Sequence, residues 1–335
     1  MHFIMKKLIN DPANLTAELL EGYTLAYPNK VKLVNEKIVV RANEKAEDKV
    51  AVISMGGSGH EPAVSGFVGD GMLDASVVGD IFAAPGAPKV FEALQMFKRD
   101  AGILLVVLNH AGDVMSANMA MQLAERAGIK VKMLLTHEDI SAGIDTPVED
   151  KRGLAGCVPL YKVAGAAADE GKSLDEVYEI AERFNQQMAT LAVAVTNCTH
   201  PQTGQAISNL ADDEMEIGMG QHGEAGGGIS KILTADETAE RMVLPLIEAT
   251  GASSGDTVQL LINGVGGSTL MEMNIVYRKA HQILTEKGIT LVPGIVDELL
   301  TVQEMGGFQM ILCKLDPDHV TYLEAPANAP YWTTQ

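Results

Sequence analysis

The sequence predicts an α/β protein of two domains, each with a mostly parallel or mixed sheet covered by helices. Three observations support this prediction. The chain has 335 residues, which is more than a single hydrophobic core usually serves. Apolar residues make up 47% of it, as in ordinary globular proteins. Short apolar runs of strand length alternate with longer helical patterns, which is typical of βαβ units.

The first half of the chain contains predicted strands that are apolar on both faces, as expected for a sheet covered on both sides. Helical patterns lie between and after these strands. We therefore predict one α/β domain over residues 1–185. The predicted strands cover residues 50–54, 75–78, 103–108 and 131–135, and the helices lie near residues 89–97, 115–127, 156–170 and 174–187.

A second series of apolar runs predicts another α/β domain over residues 186–335. Strands and helices alternate here as well, so we expect a sheet with helices packed against it. The predicted strands cover residues 190–196, 257–262, 290–293 and 310–315, and the helices lie near residues 237–249 and 269–284.

The charge and the cysteines exclude several classes of protein. The formal net charge is −19, which argues against binding to nucleic acid or to anionic membrane surfaces. A phosphorylated ligand is still compatible with this charge, because backbone donors can hold phosphate locally. The three cysteines are widely spaced, so they predict neither a disulfide framework nor a zinc site. We expect Cys157, Cys198 and Cys313 to be small buried apolar residues.

No targeting or membrane signal is evident in the sequence. Residues 1–10 combine lysines with polar residues and lack the apolar centre of a signal peptide. No apolar run approaches the length that spans a bilayer. We therefore expect a cytoplasmic protein.

Two stretches each place a histidine among glycines. Residues 56–62 read GGSGHEP and follow a predicted strand, and residues 218–224 read GMGQHGE. Glycine lets backbone N–H groups approach a ligand closely, and histidine changes its charge near neutral pH. His60 has two interpretations: it caps a helix that begins at Pro62, or it contacts a ligand at the carboxyl end of a strand. Two such stretches suggest a pocket assembled from both halves of the chain.

Three common nucleotide or hydrolase motifs are incomplete. Residues 218–223 match G-x-G-x-x-G, but glycines rather than a helix follow, which disfavours a dinucleotide site. The nearest approach to a Walker A loop, from Gly165 to Ser173, has five intervening residues instead of four. Residues 56–60 lack the last glycine of a nucleophile elbow, so Ser58 is a weak candidate nucleophile. We expect Ser58 to donate a hydrogen bond within a ligand-binding loop.

Two further polar stretches leave alternatives open. Residues 109–113 read NHAGD after a buried strand, and Asp113 either caps the next helix or forms an acid/base pair with His60. The second interpretation requires the two preceding strands to be neighbours. Residues 263–268 read NGVGGS and form either a phosphate nest or a tight turn. His222 and Glu224 could ligate a metal, but no third ligand is evident, and we predict no metal site.

Taken together, these stretches resemble the dihydroxyacetone kinase family, specifically its dihydroxyacetone-binding subunit. The resemblance covers nearly the whole chain and implies two α/β domains that form a homodimer. It depends on residues 57–62 (GSGHEP), 79–83 (GDIFA), 112–113 (GD), 152–156 (RGLAG), 220–224 (GQHGE) and 263–264 (NG).

The resemblance also implies roles for individual residues. The histidine at the position of His222 attacks the ketone carbon and forms a covalent hemiaminal, which glycerol cannot form because it lacks a carbonyl. The residues at His60 and Asp113 handle the proton of the hydroxyl that accepts phosphate. The residues matching Gly57, Ser58, Gly59 and His60 hold the substrate, a small ketose such as dihydroxyacetone.

The resemblance places the nucleotide on another subunit. That partner carries ADP, or ATP with magnesium, and a component of the phosphotransferase system recharges it, while this chain binds no cofactor. Three positions depart from the family pattern: Leu108 replaces a lysine, His110-Ala111 replaces Tyr-Thr, and residues 63–65 replace Ala-His-Ala. The presence of His60, Asp113 and His222 favours a kinase subunit that takes part in the phosphorylation of dihydroxyacetone or a related short ketose. The changes at Leu108 and His110 favour the alternative function, a non-catalytic relative that senses the ketone as a transcriptional co-activator.

Overall fold

The structure is a computed structural model that describes residues 6–224 and 226–335. Residues 1–5, half of the stretch considered for a signal peptide, and Ala225 lie outside the described residues. The helices are α1 (Leu15–Ala26), α2 (Ala87–Met96), α3 (Ala111–Arg126), α4 (Cys157–Glu170), α5 (Leu174–Gln186), α6 (Ala235–Thr250), α7 (Leu270–Glu286) and α8 (Pro317–Glu324).

The strands alternate with these helices, as the sequence predicts for an α/β protein. They are β1 (Val31–Val34), β2 (Ile38–Arg41), β3 (Ala51–Ser58), β4 (Ala75–Ile81), β5 (Ile103–Leu108), β6 (Val131–Thr136), β7 (Met188–Ala194), β8 (Glu214–Ile217), β9 (Ile229–Lys231), β10 (Thr257–Gly264), β11 (Thr290–Leu291), β12 (Ile295–Asp297), β13 (Gly307–Leu315), β14 (Ala327–Ala329) and β15 (Trp332–Thr334).

The chain forms two compact units, each assembled from separate segments. The first, which we call the His60 unit, comprises Ile9–Thr136, Cys157–Asn185 and Pro317–Gln335. The second, the His222 unit, comprises residues 6–8, His137–Gly156 and Gln186–Asp316. One crossing lies between Asn185 and Gln186, the position of the predicted boundary. Three described segments nevertheless belong to the unit that contiguous domains would not give them: residues 6–8, 137–156 and 317–335.

Hydrogen bonds hold two of these segments, residues 137–156 and 317–335, in their units. In the His222 unit, the segment after β6 runs beside β7: the Thr190 N–H donates to the Glu138 carbonyl at 2.8 Å, and the Ile140 N–H donates to the Thr190 carbonyl at 3.1 Å. In the His60 unit, the Lys162 ammonium of α4 donates to the Tyr322 carbonyl of α8 at 2.6 Å. These long-range pairings override the order of the segments along the chain.

The His60 unit is built on a six-stranded sheet in the order β1-β2-β4-β3-β5-β6. β4, β3, β5 and β6 are parallel, and β1 and β2 add an antiparallel hairpin at one edge. All six residues of β5 are buried, as expected for a strand covered on both faces. On one face, Ile53, Leu105 and Val107 pack with Leu94 of α2 and Ala120 of α3. The predicted parallel sheet is confirmed, whereas the hairpin was not predicted.

The His222 unit contains a mixed sheet in the order β11-β10-β13-β7-β8-β9, with β12 also paired to β10. Its central pairings are antiparallel, and β11 and β12 run parallel to β10. α6 and α7 each begin with a capping box, in Thr234 with Glu237 and in Thr269 with Glu272, the pattern that satisfies backbone donors at a helix start. The strand predicted at residues 290–293 ends at Leu291, before Pro293, which lacks the N–H of a ladder bond.

The cysteines are buried, as the sequence predicts. Cys157, Cys198 and Cys313 are all buried, and none forms a disulfide within the described chain, as predicted. Burial, together with the nearby charge of Glu304, raises the pKa of Cys198 to about 12, so this thiol is not activated.

In the part of the chain that the structure describes, no helix is both long enough and apolar enough to cross a membrane.

Candidate functional site

Three loops of the His60 unit emerge at the same edge of its sheet. β3 lies between β4 and β5 and is parallel to both, so the segments that follow these strands meet at their carboxyl ends. This is the edge at which open α/β sheets bind ligands. The neighbouring strands required for an Asp113–His60 pair are therefore present. Residues 59–61, 82–84 and 109–113 form the edge.

Glycines near the ends of β3 and β4 allow the loop after β4 to pack tightly against both strands. A Cβ atom added to Gly79 would lie 1.9 Å from the Ala83 carbonyl oxygen, and one on Gly57 would lie 2.8 Å from the Ala83 nitrogen. Any side chain at either position would collide with backbone. The Phe82 N–H donates to the Ser58 carbonyl at 2.8 Å and closes the contact between the loops.

His60 is held against an aromatic ring. Its ring centroid lies 4.8 Å from that of Phe82, and the residue is 6% exposed. Gly59 has a φ of +99°, and an added Cβ would lie 2.9 Å from the Phe82 ring. Residues 61–64 form turns rather than the start of a helix, so His60 does not cap a helix at Pro62. The contact with Phe82 instead fixes the imidazole beside the sheet edge.

The Ser58 hydroxyl is used inside the unit. It donates to the Gly79 carbonyl at 2.9 Å and lies 2.9 Å from the Thr16 hydroxyl of α1. Ser58 is 1% exposed. The hydroxyl therefore joins the end of β3 to β4 and α1, and the role of Ser58 in a ligand-binding loop stays a prediction.

Asp113 lies in the first turn of α3, whose N-cap residue is His110. It is therefore not the N-cap residue, which was one of its two interpretations. A carboxylate in this turn is stabilised by the partial positive charge at the start of a helix. An added Cβ on the adjacent Gly112 would lie 3.5 Å from the Ala84 side chain, so the loops after β4 and β5 are in contact. Leu108, the last residue of β5, is buried.

The loop that carries His222 connects β8 to β9 in the His222 unit. The Gly218 N–H donates to the Ala192 carbonyl of β7 at 2.7 Å, and the Gly227 N–H donates to the Ile217 carbonyl at 2.8 Å. An added Cβ on Gly226 would lie 2.0 Å from the backbone of Gly218. The two ends of the loop therefore cross in direct contact, which only glycine permits.

Glu224 binds His222 in two ways. Its Oε2 accepts from the His222 backbone N–H at 2.9 Å, and its Oε1 lies 3.1 Å from the His222 Nδ1. Burial opposes ionisation of Glu224, but its hydrogen bonds and charge interaction with His222 outweigh burial and lower the pKa of Glu224 well below its usual range. The ionised carboxylate therefore orients the ring, whose side chain is 29% exposed.

Arg152 anchors the same loop from the segment that precedes α4. Its Nη2 donates to the Gly218 carbonyl at 2.7 Å, and its Nε donates to Asp139 at 2.7 Å. Asp139 also accepts from the Ser141 backbone N–H at 2.9 Å. An added Cβ on Gly220 would lie 2.4 Å from an Arg152 nitrogen. The guanidinium thus lies against the backbone of the His222 loop.

Glu138 holds the backbone of the segment that carries Arg152. Its Oε1 accepts from the Leu154 N–H at 2.7 Å and from the Gly156 N–H at 3.0 Å. Burial raises the pKa of Glu138 to about 7, even though these hydrogen bonds favour the carboxylate. The segment that carries Arg152 is therefore fixed by a buried acidic group.

The glycine run at residues 263–268 packs within its own unit. The Asn263 Oδ1 accepts from the backbone N–H groups of Leu299 and Leu300 at 2.7 and 2.9 Å. An added Cβ on Gly266 would lie 1.7 Å from the Gln303 carbonyl oxygen. These contacts favour the tight turn over the phosphate nest.

Sequence reasoning gave no role to Arg152, Glu224 or Phe82 as partners of the two histidine loops. Glu224 was considered only as a metal ligand, although its position two residues after His222 was a usable signal. Arg152 and Phe82 lie within stretches that carry the resemblance, but 66 residues separate Arg152 from its acceptor Gly218. The sequence contains no local signal for that hydrogen bond.

The fold and these loops define a class: an α/β protein of two units, each with a histidine held in a glycine-rich loop. Residues 21–331 match the Dak1 domain. The chain belongs to the Dak1 domain family.

Three similar proteins indicate the range of this family. The chain is 35% identical over 329 residues to the dihydroxyacetone-binding subunit of PTS-dependent dihydroxyacetone kinase 1 of Listeria innocua, covering 98% of this chain and 100% of that protein. It is 36% identical over 330 residues to the L-erythrulose kinase of Pectobacterium atrosepticum, covering 97% of this chain and 56% of that protein. The solved structure of a dihydroxyacetone kinase operon co-activator matches with a TM-score of 0.89 and 32% identity, covering 95% of this chain and 98% of that chain.

Proposed function

We propose that this chain is the ketose-binding subunit of a kinase for dihydroxyacetone or a closely related short ketose. Membership of the Dak1 family supports the substrate class, and the His222–Glu224 pair carries the proposal. A carboxylate that receives the Nδ1–H of a histidine fixes the tautomer with a lone pair on Nε2. Nε2 is then the nucleophilic atom of the ring.

Capture of the ketone proceeds by addition. The His222 Nε2 forms a bond to the ketone carbon, and the electron pair of the C=O bond moves to oxygen. That oxygen takes up a proton from solvent and becomes a hydroxyl, while the Nδ1 proton of the ring passes by way of the Glu224 carboxylate to solvent. The product is a hemiaminal that contains every atom of the ketose. Selectivity follows, because a polyol without a carbonyl cannot form this bond.

His60 and Asp113 act on the hydroxyl that receives phosphate. Both follow parallel strands that are neighbours in the His60 unit, and Phe82 fixes the ring of His60. In this proposal Asp113 accepts the proton of the hydroxyl as phosphoryl transfer begins, and His60 orients that hydroxyl by a hydrogen bond. Backbone groups of Gly57, Ser58 and Gly59 line the same edge and hold the substrate.

The phosphoryl group comes from a second subunit that carries ADP or ATP with magnesium, recharged by a phosphotransferase-system component. The name of the Listeria innocua relative, a subunit of a PTS-dependent kinase, supports this division. The chain itself contributes ketose capture and proton handling, and we expect it to form a homodimer.

Intact-protein mass spectrometry with dihydroxyacetone tests the capture step. Wild-type protein should gain the full mass of the ketose, because addition releases no water, and His222→Ala should gain nothing. His281→Ala is the matched control, since His281 is an exposed histidine of the same unit, and it should retain the adduct. An adduct that survives in His222→Ala would refute the assignment.

A second candidate function is ketone sensing as a transcriptional co-activator. The likeness to the solved co-activator and the presence of Leu108 and His110 favour it. Phosphate transfer to dihydroxyacetone and erythrulose separates the two functions, provided that a partner subunit of proven activity and its phosphoryl donor are supplied. Turnover of either ketose indicates the kinase, whereas an adduct at His222 without turnover indicates the sensor.

A further inference from the structure

A cavity of about 430 Å³ lies within the His60 unit, between α1 and the segment after β3. Its walls combine three tyrosines, two glutamates and aliphatic side chains. Of the residues assigned to the ketose, Gly57 and Ser58 also line this cavity, whereas His60 and Asp113 do not. We propose that this cavity binds a small organic cation of the alkylammonium class. The proposal does not depend on ketone capture, since every wall of the cavity belongs to the His60 unit.

The tyrosines form a continuous aromatic wall. The ring centroid of Tyr27 lies 5.4 Å from that of Tyr23 and 5.7 Å from that of Tyr331, with the planes tilted by 54° and 64°. The Tyr23 hydroxyl donates to the Ser65 carbonyl at 2.8 Å, and the Tyr331 N–H donates to the Gly66 carbonyl at 3.0 Å. Tilted rings present π faces in more than one direction, and such faces attract cations.

The charged side chains that line the cavity also favour a cation. Apart from the tyrosines, the ionisable side chains among the described lining residues are Glu18 and Glu61, both acidic. Lysine, arginine and histidine do not occur in that lining, so an anionic ligand would lack a counter-charge. Burial raises the pKa of Glu61, and a bound cation would favour its ionised form. Leu19, Leu20 and Val64 supply apolar surface for alkyl groups.

A ligand in the cavity would change the environment of His60. Two stretches of its wall, residues 56–58 and 61–66, directly flank Gly59 and His60. The Glu61 carboxylate oxygens also accept from the Gly59 N–H at 2.9 and 3.1 Å. A ligand that contacts Glu61 therefore acts on the hydrogen bonds that shape the His60 loop.

Titration calorimetry of the full chain with three probes of one shape tests the proposal. The probes are choline, its neutral carbon analogue 3,3-dimethylbutan-1-ol and the anion 3,3-dimethylbutanoate. Choline should bind, and the alcohol should bind roughly tenfold more weakly because it lacks the cation–π attraction. The anion should bind most weakly. Choline should also shift the His60 ring resonances in an NMR spectrum.

Variants locate the binding. Tyr27→Leu should weaken choline binding about tenfold, and Tyr27→Phe, which keeps the ring, should stay within about threefold of wild type. Tyr178→Leu is the matched control, a partly buried tyrosine of the same unit outside the cavity, and should bind as wild type does. Equal binding of choline and the alcohol, tighter binding of the anion, no choline binding at millimolar concentration, or unchanged binding in Tyr27→Leu would each overturn the proposal.

Discussion

The two histidine loops are built in different ways. His60 is 6% exposed, and its ring packs on Phe82, within loops that glycine contacts hold against backbone. The His222 side chain is 29% exposed, and the polar groups of Glu224 and Arg152 hold its ring and loop. Packing thus fixes one histidine, and hydrogen bonds orient the other.

This difference matches the two tasks in the proposed function. A group that orients the reacting hydroxyl during phosphoryl transfer needs a fixed position, and packing supplies it for His60. A nucleophile that captures a ketone needs an accessible lone pair and a defined tautomer, which a hydrogen-bonded carboxylate supplies. The comparison predicts that the two regions can be impaired separately.

Asp113→Asn should give the largest effect. Loss of the proton acceptor should lower phosphoryl transfer by about 10²- to 10⁴-fold, while the ketose adduct on His222 persists. A coupled transfer assay and intact-protein mass spectrometry on the same preparation measure both quantities. Full transfer activity in Asp113→Asn would remove Asp113 from the mechanism, and loss of the adduct would show that the two regions do not act separately.

Glu224→Gln should impair the other region. A hydrogen bond to a charged group contributes about 1.5–3 kcal/mol, so ketose capture should slow by roughly 10- to 100-fold. Because His222 holds the pKa of Glu224 well below its usual range, the carboxylate stays ionised in mildly acidic solution. Its contribution is present above the ordinary glutamate pKa and is lost only as the pH falls through the lowered value.

The pH dependence provides the check on Glu224. The side-chain carboxyl carbon of Glu224, followed by ¹³C NMR, should keep the chemical shift of a carboxylate from about pH 8 to about pH 5. Glu216→Gln is the matched control for the capture rate. The Glu216 carboxylate accepts a hydrogen bond from the Gly226 N–H of the same loop, and that bond does not involve the imidazole ring. Protonation of that carboxyl group already near neutral pH would contradict an ionised Glu224.

Local sequence patterns predicted the strands of the parallel sheet better than they predicted helix α1 or the segments that make up each unit. The strand at residues 103–108 matches β5 to the residue, because a fully buried parallel strand is a continuous apolar run. α1 was missed, although apolar residues recur at Leu15, Leu19 and Tyr23 with helical spacing. The exchange of segments between units was also missed, because it depends on pairings such as that of Glu138 with Thr190, which lie far apart in the chain.

The candidate site shows the same limit. Motifs and the family resemblance singled out His60, Asp113 and His222, whose roles stay predictions. The contacts that hold these residues are not local in sequence: Phe82 reaches His60 from the loop after β4, and Arg152 reaches the His222 loop from the segment before α4. Sequence motifs indicate which residues belong to the site. The side chains and backbone groups that contact those residues depend on how distant parts of the chain pack in the fold.

Ser58→Ala, in the His60 region, should give the smallest effect. Its hydroxyl already donates to the Gly79 carbonyl and contacts Thr16, so removing it should cost about 1 kcal/mol of unfolding free energy. The KM for the ketose should stay at the wild-type value, because only backbone groups of this residue would face the substrate. Urea denaturation and steady-state kinetics measure the two quantities, with Ser65→Ala, in the same unit, as the control. A large rise in KM without loss of stability would assign the Ser58 hydroxyl to the substrate, and the loop would then bind the ketose through side chains as well as backbone.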